Sequence, residues 1–380
     1  MKSKSLIIIL FLFLNSYLGQ SQVENFKEKF ELPTEVKETS GLLFLNGKII
    51  THNDSGDSAN LYEIDSLSGN LLRTININNA TNVDWEDVTE DENHIYIGDI
   101  GNNNGTRTDL KIYKILKSDY LNSNSVSAEI ISFSYEDQTN FDSSESHNFD
   151  AEALVFYEDS FLIFTKNRGD FKTNVYKIPI TIGNHSAVKV STANIEGLIT
   201  GATTSNDNFY LCGYDASLIP FLIYISFNRA PEDDVFSSGF VKESLKNQIG
   251  QGSQVEAITN YKTGKFYISR EFLSTTVSGI PFSFPQKLYE FTDRRDQLLS
   301  TEKNNFENIK ISPNPTSDKF FINSENLIQK VSIFNTLGKN IFEVSIDKKE
   351  IDISSFSKGI YLVKIQFENQ KSIHRKIIKL

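Results

Sequence analysis

The stretch Ala151-Glu-Ala-Leu-Val-Phe-Tyr157 … Phe161-Leu-Ile-Phe-Thr-Lys-Asn167 … Val175-Tyr-Lys-Ile178 holds three short apolar runs separated by polar turn residues. Runs of this length, rich in β-branched and aromatic residues and bounded by Asp, Asn and Gly, read as strands rather than helices. The same three signals recur in the same order along the chain. A strand opening with a small or acidic residue appears at Glu38-Thr-Ser-Gly-Leu42, Trp85-Glu-Asp-Val88, Ile199-Thr-Gly-Ala202 and Val255-Glu-Ala-Ile258. A strand closing in polar residues follows, at Lys48 to Asp54, Ile95 to Asp99, Phe209 to Asp215 and Lys265 to Glu271. A strand centred on tyrosine comes third.

Those tyrosines stand at 62, 113, 176, 224 and 289, spaced 51, 63, 48 and 65 residues apart. Each interval fits one four-stranded blade with its loops. A fourth strand follows most copies, at Leu71 to Ile77, Glu129 to Tyr135 and Ala187 to Ser191. The last copy lacks one, and Asn25 to Val36 is placed to supply it and close the ring, which removes exposed strand edges. The predicted class is all-β: a five-bladed β-propeller, six-bladed if two short copies have been merged, followed by a small C-terminal β-sandwich. The tyrosines and Trp85 are expected in the core.

Working outward, the N-terminus carries Lys2 and Lys4, an apolar run from Leu6 to Leu14 and a polar segment to Gln22. This is the pattern of a secretory signal peptide, with Gly19 and Ser21 suited to the cleavage site. The run is shorter than the ~20 residues of a membrane span, and no other stretch is apolar enough for a transmembrane segment. Cys212 is the single cysteine, which excludes an internal disulfide and a paired-cysteine metal site. A net charge of −11 argues against nucleic acid as partner. The expected organisation is a signal peptide at 1–22, a propeller at 23–295, a polar linker at 296–308 and a C-terminal domain at 309–380. A monomer is expected.

The C-terminal region alternates apolar and polar residues in runs broken by Pro, Asn and Gly, as in a small antiparallel sandwich. Its landmarks are Pro313-Asn-Pro315, Asn335 with Gly338, Gly359-Ile-Tyr361 and the terminal Lys376-Ile-Ile-Lys379. Together they resemble the type A sorting domain of the type IX secretion system, with Ser312 where an aromatic is common. The resemblance implies passage across the outer membrane, release or surface attachment, and the type IX machinery as a partner.

In a four-stranded blade, the start of the first strand and the end of the second emerge on one face of the disc. Glu38, Glu86, Glu152 and Glu256 open first strands and are candidate metal ligands, with Thr200 in the fourth copy. Close carboxylates share protons or bind a cation, and hard oxygen ligands suit Ca²⁺. The alternative is that these glutamates accept backbone N–H bonds and latch the blades together. Polar residues closing second strands and their loops are candidate ligand contacts: Asn53, Asp57, Asp99, Asn102, Lys166, Arg168, Asp215 and Arg270. Asp54 and His52 are candidates for moving a proton. The long insert Asp137 to Asn148 reads as a contact loop or lid.

The run from Glu38-Thr-Ser-Gly-Leu42 through His52-Asn-Asp-Ser-Gly-Asp57, Asp84-Trp-Glu-Asp-Val88, Asp99-Ile-Gly-Asn-Asn103, Asp150-Ala-Glu-Ala-Leu154 and Val255-Glu-Ala-Ile-Thr259 is similar to exported bacterial propellers of the phytase-like esterase, SdiA-regulated and NHL-like group. The resemblance covers residues 36–292. It implies channel-side glutamates as Ca²⁺ ligands. The chain lacks the dense basic cluster of a phytate site, and it has neither a Gly-x-Ser-x-Gly elbow nor a zinc-type His pair. Two functions are therefore expected as alternatives. One is binding of a small molecule, glycan or peptide on the channel face. The other is Ca²⁺-dependent hydrolysis of an ester or phosphoester.

Overall fold

The computed structural model describes residues 21–226, 234–277, 280–299, 310–323, 328–336, 338–345, 350–367 and 372–380. The expected signal run lies outside them, except for Ser21 and Gln22. Two compact units divide the chain, 1–299 and 300–380.

The first unit is built from repeated antiparallel sheets, each a meander held by short turns. β1 (Val23–Glu31) comes first in the chain. β2 (Thr39–Leu45), β3 (Lys48–Asn53), β4 (Asn60–Asp65) and β5 (Leu71–Ile77) form the first sheet in sequence order. β6 (Trp85–Glu90), β7 (His94–Asp99) and β8 (Lys111–Leu116) lead through helix α1 (Lys117–Asn122) and the short β9 (Ser125–Val126) to β10 (Glu129–Tyr135). β9 adds to the edge of the first sheet, parallel to β5. β11 (Ala151–Tyr157), β12 (Ser160–Thr165), β13 (Lys172–Pro179) and β14 (Gly183–Asn194) form the third meander. Its outer strand pairs in parallel with β10, so the second and third meanders are one eight-stranded sheet. β15 (Leu198–Ser205), β16 (Asn208–Tyr214), β17 (Pro220–Ile225) and β18 (Val241–Ser244) make the fourth.

The fifth sheet has β19 (Val255–Lys262) innermost, then β20 (Lys265–Arg270). A separate two-stranded hairpin, β21 (Leu273–Val277) and β22 (Ile280–Phe284), follows before β23 (Lys287–Asp293). The outermost strand is β1, antiparallel to β23, as expected for the N-terminal stretch. The first strands pack side by side in a closed circuit: β2 beside β6, β6 beside β11, β11 beside β15, β15 beside β19, and β19 beside β2. This arrangement is propeller-like.

One apolar cluster fills each junction between neighbouring meanders. Leu43, Ile50 and Leu61 meet Trp85, Val88 and Ile97 at the first. Tyr96 and Ile112 meet Leu154, Phe161 and Tyr176 at the second. Phe164 and Val175 meet Phe209 and Leu211 at the third, Tyr210 and Leu222 meet Phe266 and Ile268 at the fourth, and Ala257 and Tyr267 meet Leu42 and Ile49 at the closing one. All five repeat tyrosines lie on third strands, β4, β8, β13, β17 and β23, and all five are buried, as is Trp85.

The expected linker start at Asp296 falls instead inside a short helix, α2 (Arg294–Leu299). The Asp296 carboxylate is fully buried and accepts hydrogen bonds from the Ser205 hydroxyl, the Asn208 amide and, at 2.7 Å, the Gly264 N–H. A buried carboxylate with three donors belongs to the fold of the first unit. The remainder of the expected linker, 300–308, lies outside the described residues.

The second unit contains β24 (Lys310–Ser312), β25 (Lys319–Asn323), β26 (Ile328–Phe334), β27 (Asn340–Ser345), β28 (Glu350–Asp352), β29 (Gly359–Phe367) and β30 (Ser372–Lys379). They form a three-stranded sheet, β24-β25-β28, and a four-stranded sheet, β27-β26-β29-β30. Phe320, Ile322 and Ile351 from the first share one apolar cluster with Val331, Val363 and Ile377 from the second.

Candidate cation site

Each first strand carries a β-bulge near its start, where one residue on that strand has no partner opposite. In β6, β11, β15 and β19 the bulge falls at Glu86, Glu152, Thr200 and Glu256. In β2 the register breaks one residue later, at Gly41. Its backbone is left-handed (φ +59°), and a Cβ there would stand 2.8 Å from the Val88 nitrogen. Thr39 pairs with Asn53 as Trp85 pairs with Asp99, so Ser40 is the counterpart of Glu86. Glu38 therefore corresponds to Asp84 and Asp150. The backbone agrees: Asp54 N–H donates to the Glu38 carbonyl as Ile100 does to Asp84 and Lys166 to Asp150. Glu38 is exposed, and the expected ring of four equivalent glutamates has only three members.

The structure brings together a denser acidic cluster. Ligand oxygens of Asp54, Asp84 and Glu86 all lie within 4.8 Å of one another, and so do those of Glu86, Asp150 and Glu152. Glu86 is common to both groups. It is 1% exposed, and its Oε1 has no hydrogen-bond partner among the described residues. The loop after β7 presses against this carboxylate. Ile100 and Gly101 N–H groups donate to the Asp84 carbonyl at 3.2 and 3.1 Å. A Cβ on Gly101 would stand 2.1 Å from Glu86 Oε1 and 2.5 Å from Asp84 Oδ2, so the loop approaches this closely only because residue 101 is glycine.

The two halves of the cluster differ in charge balance. Lys166 Nζ sits 2.8 Å from Glu152, and Arg168 Nε 3.2 Å from Asp150. Arg168 also donates to Asn103 Oδ1 at 2.6 Å, and the Asn102 N–H donates to Asp150 at 2.8 Å. Asp54, Asp84 and Glu86 form no ion pair within 4 Å among the described residues. The Asp84 carboxylate receives a long bond, 3.4 Å, from Asn103 Nδ2 and shares a proton with the Asp54 carboxyl.

Titration follows from burial and crowding. Burial, then the neighbouring Asp84, pushes the Asp54 carboxyl up to about 7. Burial with Asp150 and Glu152 nearby raises Asp84 to about 6. Burial raises Glu152 to about 7 in spite of Lys166. Glu271 rises to about 8 through burial and the charge of Asp54. Glu86 and Glu256 are driven well above the ordinary carboxylate range, chiefly by burial. Burial works against the Lys166 ammonium, but Glu152, Tyr214 and Glu256 outweigh it and hold the proton firmly.

Of the expected site residues, Asp54, Glu86, Glu152, Glu256, Lys166 and Arg168 thus converge. His52 does not. It is fully buried in β3 with Nδ1 against the Asn53 carbonyl, its ring stands edge-on to Trp85, and burial lowers its pKa to about 4. It cannot reach a ligand. Asn53 and Asp57 hydrogen-bond each other at 2.7 Å, and Asp57 also holds Tyr62. Asp99 lies beneath the loop with Arg107 at 2.8 Å, and Asn102 anchors that loop. Asp215 accepts the N–H groups of Ser217 and Ile219 in a turn. Arg270 is held by the Pro285 carbonyl and Ser253 between the Phe284 and Tyr289 rings. These side chains are engaged within the fold and do not join the acidic cluster; Asp215 also lines a surface cleft. Sequence reasoning missed Asp84 and Asp150; Glu271 and Asn103, which it placed at a strand end and in a loop on this face, converge as well. The signal for the first two was present as Asp-x-Glu, in Asp84-Trp-Glu86 and Asp150-Ala-Glu152.

Comparison with known proteins places the C-terminal unit. Residues 310–379 match the secretion system C-terminal sorting domain, which marks the chain for the type IX pathway and for release or display at the cell surface. No helix among the described residues is long and apolar enough to cross a membrane. Two curated relatives share short stretches: ulvan lyase NLR42 of Nonlabens ulvanivorans, 31% identical over 84 residues, and an endo-acting ulvan lyase of Formosa agariphila, 30% identical over 88. These stretches cover 21% and 22% of this chain but only 16% and 17% of the relatives. Among solved structures, PorZ, a surface component of the type IX secretion system of Porphyromonas gingivalis, overlaps 90% of this chain and 45% of its own, with 11% identity and a TM-score of 0.34. The glutaminyl cyclase of Myxococcus xanthus overlaps 69% of this chain and 96% of its own, with 12% identity and a TM-score of 0.38. Likenesses this distant do not bear on activity.

Proposed function

We propose that the first unit is a five-bladed propeller, exported with a C-terminal sandwich as its sorting tag, that binds a divalent cation through Asp54, Asp84 and Glu86 and presents it to an external ligand. The observation that carries this reading is Glu86 Oε1, a buried carboxylate oxygen without a hydrogen-bond donor among the described residues, within 4.8 Å of two further carboxylates. An unpaired buried charge is costly, and a cation is the partner that several converging oxygens can share. An all-oxygen, all-carboxylate set suits Ca²⁺ over softer metals. The cation falls on the Asp54 side because Lys166 and Arg168 already neutralise the Asp150 side. Those two cations, with Arg168 30% exposed, would then face the ligand.

Thermal unfolding of the full chain tests this reading. Ca²⁺ at a hundredfold excess over Kd stabilises a folded state that alone binds it by about 2.7 kcal/mol. The melting temperature should rise with Ca²⁺, rise less with Mg²⁺, and fall back with chelator. A curve indifferent to all three would leave the cluster as a blade latch.

A second reading, Ca²⁺-dependent phosphoester hydrolysis, is favoured by Asp54 alone. In the metal-free fold burial raises its half-buried carboxyl to about 7, and with the cation held by Asp84 and Glu86 in this reading, Asp54 would be left to carry a proton beside it. Turnover of an aryl phosphate that requires Ca²⁺ and disappears in Asp54→Asn, while that variant keeps its Ca²⁺-dependent rise in melting temperature, would support it. Absence of turnover in the Ca²⁺-loaded protein would leave binding as the function.

A further inference from the structure

Phe171 lies in the loop between β12 and β13, 38% exposed as a residue and with its backbone left-handed, φ +55°. Left-handed backbone is uncommon for a bulky residue and persists where the surroundings enforce it. Two hydrogen bonds do so here: the Phe171 N–H donates to the Asn167 carbonyl at 3.0 Å, and the Phe171 carbonyl accepts from Gly197 at 3.1 Å. The conformation holds an apolar ring out into solvent between two clefts. One, of about 530 Å³, is lined by Asn103, Asn104, Glu145, Arg168 and Leu198. The other, of about 360 Å³, is lined by Asn194, Glu196 and Asp215 among others, and Glu196 is also left-handed, φ +51°. Both volumes lie within the ~300–1,000 Å³ range of small-ligand sites.

The lining fits a hydroxyl-rich ligand with apolar C–H faces. The Asn104 and Glu145 side chains make no hydrogen bond to another described residue, so their donors and acceptors are open to a ligand. Glu145 belongs to the 137–148 insert, which Ser144 N–H pins to the Asn104 carbonyl at 3.0 Å and Gln138 to the Gly105 carbonyl at 2.8 Å. Amides and carboxylates around an exposed aromatic ring can bind paired sugar hydroxyls while the ring covers the sugar's C–H face. Of the cations at the clefts, Arg168 is paired with Asp150 and Lys242 is held by the Ile195 and Glu196 carbonyls at 2.7 and 3.1 Å, while Glu145, Asp170, Glu196 and Asp215 add negative charge. An anionic sugar would be repelled.

We propose that Phe171 and its two clefts form a binding site for a neutral glycan, laid across the ring with a sugar in each cleft. The site needs no bound metal; it shares Arg168 and Asn103 with the edge of the acidic cluster, so the chelator arm of the test separates the two.

The test is retardation of the full chain in native gels cast with soluble neutral polysaccharides (β-glucan, galactan, mannan) or with anionic ones (alginate, a sulfated galactan), with and without chelator. The proposal expects retardation by at least one neutral polymer, unchanged by chelator and absent with the anionic ones. Phe171→Gly removes the ring and relaxes the left-handed backbone, so its melting temperature should hold or rise while binding weakens at least tenfold. Glu145→Gln keeps the fold by its exposed position and should weaken binding severalfold. No retardation by any neutral polymer would overturn the proposal. So would preference for the anionic ones, or undiminished binding by a folded Phe171→Gly chain.

Discussion

Glu86 carries the densest physical demand of any single residue in this protein. Its carboxylate is buried, pushed toward its neutral form, and touched on one side by a glycine that leaves no room for another atom. Glu86→Gln imitates the protonated state, so without metal at pH 8 it should raise the melting temperature by roughly 2 °C or more. The same change should erase the Ca²⁺ response, and scanning calorimetry with and without chelator reads both effects. Gly101→Ala should do the reverse to stability. Its Cβ would overlap two carboxylate oxygens, costing about 1–3 kcal/mol and displacing the cation, which a denaturant titration and a Ca²⁺ titration would show. The residue types of this site were legible as recurring acids after small residues, but the register was not. Glu38 reads as a fourth equivalent of Glu86, yet it stands four residues before Leu42 where Glu86 stands two before Val88, and the pairing of Thr39 with Asn53 makes it the counterpart of Asp84. First strands open on acids at both positions, Asp84 and Glu86 alike, and the pairing with the second strand is what tells the two apart.

Among the elements, strands were the easiest to read, because each meander repeats a buried tyrosine on its third strand and a polar stop at the end of its second. The outer strand β1 was legible for a topological reason, since the last copy lacked one. Harder were α2, whose polar sequence hides the buried Asp296, and the β21–β22 hairpin, whose exposed residues follow no core pattern. Asp87 shows what else sequence conceals. This fully buried carboxylate accepts N–H bonds from Val88 at 2.8 Å, from Leu154 on β11 at 2.9 Å and from Ala202 on β15 at 3.4 Å. It ties three first strands together at the centre of the circuit. Asp87→Ala should strand buried N–H donors and cost about 2–4 kcal/mol in a urea titration, with no change in cation affinity per folded molecule. Deleting residues 23–31 exposes the edge of β23, and the shortened chain should associate or precipitate in size-exclusion chromatography where the full chain does not.

At the scale of the whole molecule, the sorting domain marks the protein for release or display at the cell surface, and the proposed cation would have to come from that environment. Among the described residues no cation pairs directly with Asp54, Asp84 or Glu86, although Lys166 and Arg107 ease the charge of Asp54 and Asp84 from farther off. The linkage between pH and stability exposes this dependence. Asp54, Asp84, Glu152 and Glu271 hold their protons up to about 7, 6, 7 and 8 in the folded chain, whereas unfolded carboxylates release them near ~4. Folding therefore takes up protons across this interval. The stability these groups contribute is complete below about 4 and is lost as pH rises through their folded values. His52, lowered to about 4, works in the opposite sense, but only below the ordinary histidine range near ~6.5. From pH 6.5 to 8.5 the carboxylates act without that opposition. The melting temperature of the chelated chain should fall steadily over this range. Saturating Ca²⁺ should flatten the fall, because the cation binds the ionised carboxylates and replaces the protons they lose. Asp84→Asn should shallow the slope without metal and weaken the flattening with it. A chelated chain that grows more stable toward pH 8.5 would mean the carboxylates are already compensated within the fold, and that no cation is required.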